Sequence, residues 1–116
     1  MKVAHYTDAA EKVFSGDAVS GVTGRVAVGR ADGADRFCMR VFELAEGGYT
    51  PRHAHDWEHE IFVHAGRGEV LRDGQWVPIR PGYALFIPGG EDHQIRNAGA
   101  EPFVFVCLIP AGPPEL

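Results

Sequence analysis

The chain has 116 residues, 45% hydrophobic and 23% charged, with a net charge of −5. That length suits one domain with one core, and no apolar run approaches the ~20 residues a membrane-spanning helix needs. The 11 basic residues are scattered without a stripe, which argues against a nucleic-acid partner.

The first residues, "MKVAHYTDAAEKVF", place Asp8 and Glu11 where an export signal would need an uninterrupted apolar segment, so the expected location is the cytoplasm. Only residues 7 to 15 look helical. Beyond them, 15 glycines and 8 prolines divide the chain into short runs of β-branched and aromatic residues with period-two alternation. Strands are predicted at 24 to 29, 36 to 45, 50 to 55, 59 to 65, 68 to 73, 76 to 79, 84 to 88, 93 to 97 and 102 to 110. Turn signals such as "ADGAD", "EGG", "AGRG", "RPG" and "PGGED" separate them. "RDGQW" predicts a hairpin, because Asp-Gly suits a type I′ turn. The closing "AGPPEL" has no apolar periodicity and is expected to trail off as a tail. The pattern is that of an all-β sandwich or small barrel, a single domain over 1–116 with its core at about 19–110.

Chemistry concentrates in "HAHDWEHEIFV", residues 53 to 63. Side chains two apart on a strand share a face, so His53 and His55 can chelate one metal. His59 and Glu60 follow after a short turn, and His93 lies far along the chain between "PGGED" and "QIRN". His53, His55 and His59 share parity, which favours His59 over Glu60 as the third ligand unless the bend at "DWE" shifts the register. Cys38 and Cys107 lack metal-knuckle spacing and read as buried thiols. No phosphate-binding glycine loop and no nucleophile elbow is present. Arg40 and Arg72 could bind a carboxylate but read first as solvated or paired strand residues on an outer face, His64 as lying on the face opposite His59, and Asn97 as a turn former.

Residues 47 to 66 have the form G-x5-H-x-H-x3-H-x6-G, and 82 to 97 the form G-x5-P-x-G-x2-H-x3-N. These resemble the two cupin motifs. The second matches at Gly82, Pro88, Gly90, His93 and Asn97, while the first carries His59 where most cupins keep a metal-binding glutamate. Some cupins place that glutamate one residue later, which keeps Glu60 as the alternative ligand. Across residues 19 to 112 the chain is similar to small manganese-binding monocupins with four histidines, "HDWEHEIFV" and "CLIP" being the most telling matches.

The resemblance implies a double-stranded β-helix, or jelly-roll, barrel and a homodimer. It implies one divalent metal ion per chain held by His53, His55, His59 and His93, with manganese the first choice and iron, copper, nickel, cobalt or zinc as alternatives. It also puts Phe105 and Cys107 at the pocket, although both faces of "PFVFVCLIP" are apolar and alternation cannot choose between them. Trp57 is open as packing anchor or substrate platform. Glu60, Asp92 and backbone carbonyls are candidates to receive the second N–H of each ligand imidazole. Four neutral imidazoles leave the metal's charge uncompensated, so an anionic substrate or peroxide would be drawn to it. The expected function is a metal-dependent oxidoreductase using oxygen or peroxide on a small organic substrate, by dioxygenation or oxidative cleavage of a C=C bond. Two alternatives come from other classes: a metal-dependent small-molecule binding or sensor protein, and a metal-assisted isomerase or decarboxylase.

Overall fold

The computed structural model describes residues 1–116. Its nine strands are β1 (Lys12–Phe14), β2 (Ser20–Val28), β3 (Phe37–Tyr49), β4 (His59–Ala65), β5 (Gly68–Arg72), β6 (Gln75–Ile79), β7 (Ala84–Ile87), β8 (Ile95–Asn97) and β9 (Phe103–Pro110). They form one curled sheet in the order β6-β5-β8-β3-β9-β4-β7, with β1 and β2 attached through β3. This is the expected jelly-roll barrel. The long β3 holds it together, pairing antiparallel with β2, β8 and β9.

Alternation decides what enters the barrel. On β4, His59, Ile61 and Val63 are buried, while Glu60, Phe62 and His64 face out. On β9, the Phe103, Phe105, Cys107 and Ile109 side chains are all at most 3% exposed, so that face is the interior. They pack with Val22, Leu44, Ile61, Val63, Val70, Ile79, Ile87 and Ile95 in a single core. Fully burying one such aliphatic or aromatic side chain contributes about 1.5–3 kcal/mol. The Asp-Gly turn matches its expectation: Asp73 (φ 51°) and Gly74 (φ 75°) both take the positive φ of a type I′ hairpin, closed by the Arg72–Gln75 pair.

Four expectations are corrected. Residues 7 to 15 do not form a helix. A single 3-10 turn (Tyr6–Asp8) is followed by β1, which pairs with β2 and lets Phe14 pack against Phe42. Arg25 fixes this segment through the carbonyls of Thr7 and Ala9 and the Glu11 carboxylate. Residues 50 to 55 are not a strand, since Pro51 brings no N–H to a ladder; only His53 forms a bridge, to His93. "EGG" does not end β3. Between the Val22–Leu44 and Ser20–Tyr49 pairs the strand bulges, with Gly47 at φ 75°. Finally, the C-terminal residues do not trail off. The Glu115 carboxylate accepts from the Arg30 backbone N–H (2.8 Å), and Leu116 lies against the barrel mouth.

Candidate metal centre

His53 and His93 are joined through their backbones, each N–H donating to the other's carbonyl at 3.1 and 3.0 Å. This two-residue bridge brings the first histidine motif to the second. The His55 carbonyl accepts from the Gly90 N–H at 2.6 Å. Next to Gly90, a Cβ on Gly89 would collide with the carbonyl oxygen of Asp56, so the two loops can approach this closely only with glycine there. His59 opens β4, in register with Ile87. The result is four imidazoles, from a bridge, a loop and a strand end, whose candidate ligand nitrogens all lie within 4.8 Å of one another.

The orientation of three rings is set by backbone carbonyls. Nδ1 of His53 donates to Pro51 O (2.8 Å), Nδ1 of His55 to Trp57 O (2.9 Å) and Nδ1 of His93 to Glu91 O (2.9 Å). With the proton on Nδ1, each Nε2 lone pair is left free for a cation. His59 differs: its Nδ1 faces Cys107 Sγ at 3.2 Å and Arg40 Nη2 at 3.3 Å. In the tautomer that frees its Nε2, the Nδ1–H donates to the sulfur, which also receives Arg40 Nη2 at 3.0 Å. The Nε2 atoms of His55 and His59 stand 2.7 Å apart, near the spacing of about 3 Å that adjacent donors take around an ion at metal–nitrogen distances of about 2.1 Å. The donor set therefore fits a divalent metal.

Electrostatics favours neutral rings. Burial pushes the pKa of His59 down to about 3, assisted by the positive charge of Arg40 and the neighbouring imidazoles. Burial lowers His93 and His55 as well. A metal competes only with protons for these lone pairs, and the pocket has already disfavoured the protons. Cys107 is pushed up by burial, against the opposing influence of Arg40.

The cluster lies in the wall of a cavity of about 260 Å³ that opens at the barrel mouth. Phe42, Trp57, Phe105, Cys107 and Leu116 contribute to that wall, and no aspartate or glutamate does. Trp57 stacks on His55, with ring centroids 4.1 Å apart and planes 6° from parallel. It is both the anchor of a candidate ligand ring and part of the pocket surface. Phe105 and Cys107 both line this cavity.

The fourth side chain of the cluster is His59, the choice that parity favoured, and not the alternative Glu60. Several other residues stand elsewhere than the sequence suggested. Glu60 is exposed on the outer face of β4, opposite the cavity, and so neither contacts an imidazole nor lines the pocket. Asp92 likewise makes a surface ion pair with Arg52 (2.7 Å) instead of receiving an imidazole N–H. Asn97 is more than a turn former: buried, it donates to Leu44 O and Glu101 O and accepts from the Gly99 N–H. Arg72 is exposed as expected, but Arg40 is 8% exposed and inside the barrel. The missed signal was parity, because Arg40 shares its face of β3 with Cys38, Phe42 and Leu44, while Met39 and Glu43, on the other face, are exposed and only Val41 there is buried.

Residues 40–109 match the cupin domain family. The chain belongs to that family. The cupin superposes on the polyketide cyclase RemF from Streptomyces resistomycificus with a TM-score of 0.90 and 35% identity, covering 98% of this chain and 82% of that one. Shorter likenesses link this cupin to the glucose-6-phosphate isomerase of Thermococcus gammatolerans (31% identity; 54% of this chain, 38% of the isomerase). They also link it to an oxalate-binding protein of Thermotoga maritima (34% identity; 58% of this chain, 56% of that protein). The cupin thus spans about two fifths of that isomerase and just over half of the oxalate-binding protein. No helix is long and apolar enough to cross a membrane.

Proposed function

We propose that this cupin is a metal-dependent enzyme that holds one divalent ion through His53, His55, His59 and His93 and uses its Lewis acidity on a small organic carbonyl compound, in a cyclase or isomerase type of reaction. The observation that carries this reading is the likeness to a polyketide cyclase over nearly the whole chain. The pocket supports it: with no aspartate or glutamate in its wall, no such side chain is placed there as general base, and polarising the substrate falls to the ion. The bound ion would supply electrophilic activation of a carbonyl oxygen. The chain itself orients the four imidazoles, excludes water with Phe42, Trp57 and Phe105, and holds the His59 Nδ1 proton at Cys107 Sγ.

The oxygen- or peroxide-using oxidoreductase is the second reading. What favours it is the all-neutral donor set, which leaves the charge of a divalent ion uncompensated and attracts anionic ligands. Metal dependence separates the two. Protein loaded with zinc, which has no redox chemistry, and assayed without oxygen on a linear β-polycarbonyl compound should turn over if the ion acts as a Lewis acid. Turnover confined to manganese or iron with oxygen or peroxide, on phenolic alkenes or dicarboxylates, would transfer the assignment to the oxidoreductase. Ligand retention without product under every condition would mark a binding or sensor protein. A homodimer in the cytoplasm, with manganese as the resident metal, belongs to the same proposal; native mass and the metal content of the isolated protein test the dimer and the metal.

A further inference from the structure

Beside the four histidines lies a buried cation that forms no ion pair within the chain. Arg40 is 8% exposed on β3, directly opposite Cys107 in register, with its guanidinium 5.0 Å above the Phe42 ring. Its Nη2 donates to Cys107 Sγ, its Nη1 reaches the Glu115 carbonyl only at 3.4 Å, and its Nε is buried without any partner. The ion pairs of the chain involve Lys2, Arg25, Arg36, Arg52 and Arg96, never Arg40. A guanidinium cannot lose its charge inside a protein. Burying one without a counter-ion is costly enough that interior arginines are normally paired. The polar contacts of Arg40 are only a thiol, a carbonyl and the His59 imidazole, and the Glu115 carboxylate, which lies by the Cys38 thiol, does not reach ion-pair distance.

We propose that the missing counter-ion arrives with the ligand, and that Arg40 is a positioning residue that holds the carboxylate of a small organic acid with an apolar skeleton. The inference deepens the proposed function, resting on its reading of this cavity as a substrate site, and names the substrate class. A carboxylate matches the planar fork of a guanidinium, and the 3.4 Å contact to the Glu115 carbonyl is a weak one that it would replace. The surroundings choose among anions. A phosphate needs several strong donors, whereas this wall supplies one arginine set among Phe42, Phe105, Ile61 and Leu116. Sugar hydroxyls would lose their water against the same apolar surface, where, apart from Arg40 and the four histidines, Thr50 is the one other polar side chain. An aromatic or aliphatic carboxylic acid satisfies both the cation and the wall.

The test uses benzoate and hexanoate beside their uncharged primary amides, with inorganic phosphate as a third probe, titrated calorimetrically into the 116-residue chain after metal removal. Each carboxylate is expected to bind at least tenfold more tightly than its amide and more tightly than phosphate. Arg40→Met and Arg40→Gln should bring carboxylate and amide within twofold, while Arg40→Lys, which keeps the charge, retains a preference. Both neutral variants should melt no lower than the parent chain, because they remove an uncompensated charge. Equal binding of acid and amide to the parent chain, a phosphate preference, or an acid preference that survives Arg40→Met would overturn the proposal. So would a fall in Tm with unchanged selectivity, which would make Arg40 structural. Metal content is measured on separate samples: a chain that takes up no divalent ion yet discriminates acid from amide through Arg40 would refute the metal-dependent function and leave this inference standing.

Discussion

His53 and His93 exchange both backbone hydrogen bonds across an isolated bridge, and their rings lie 4.5 Å apart at the centroids. The two halves of the candidate centre are thus locked by main chain, and the side chains are free to serve as ligands. Replacing either imidazole should remove a ligand without unravelling the bridge. For His53→Ala and His93→Ala we expect metal content after purification, read by elemental analysis, to fall well below one ion per chain. Circular dichroism should remain that of a β protein. Glu60→Gln should retain full occupancy; its loss would return the glutamate to the ligand set.

Cys107 receives the Nδ1 proton of His59 when Nε2 is free, and it also receives Arg40. Cys107→Ala leaves those two donors facing each other without an acceptor. Partners of this kind typically contribute about 10- to 100-fold to metal affinity. A loss in that range is expected in competition with a chromogenic chelator, with Cys107→Ser recovering part of it. Unchanged affinity in Cys107→Ala would reduce the thiol to a packing residue.

The buried histidines predict the direction of the pH dependence. In the folded, metal-free chain the pKa of His59 is about 3, against 6.5 for an unperturbed histidine, and those of His93 and His55 are also lowered. Between these values the unfolded chain binds protons that the folded chain refuses, so stability increases with pH. It is fully present above about pH 6.5 and is lost progressively as the pH falls toward 3. Urea unfolding in the presence of a chelator should show this slope, and His59→Gln should flatten it. A parent chain with level stability from pH 7 to pH 4 would contradict the burial of these rings.

Gly89 marks the closest approach of the loops carrying His55 and His93. Gly89→Ala forces its Cβ against the Asp56 carbonyl, and we expect a loss of about 1–3 kcal/mol together with weaker metal binding. The neighbouring Gly90→Ala should act differently, because its Cβ meets open space and the strain comes only from φ 82°. Denaturant midpoints and chelator competition for the two variants separate the collision from the strain.

The sequence by itself determined the β architecture, the type I′ hairpin and the histidines of the cluster. Each of these is a short-range pattern: alternation on a strand, Asp-Gly at a two-residue turn, and fixed spacings within two motifs. Parity already favoured His59 over Glu60, and β4 places those side chains on opposite faces. Only the tertiary structure decided which apolar face of β9 is interior, because neither face carries a polar residue to mark the outside. It also decided that Arg40 lies within the barrel. Parity with Cys38, Phe42 and Leu44 pointed that way, but a lone arginine is ordinarily solvated, and the contacts that hold it come from Cys107 of β9, the Phe42 ring and the returning C-terminal residues, which no local pattern brings together. The helical reading of residues 7 to 15 failed for a related reason. The pairing of β1 with β2, and the packing of Phe14 on Phe42, outweighed a weak local preference.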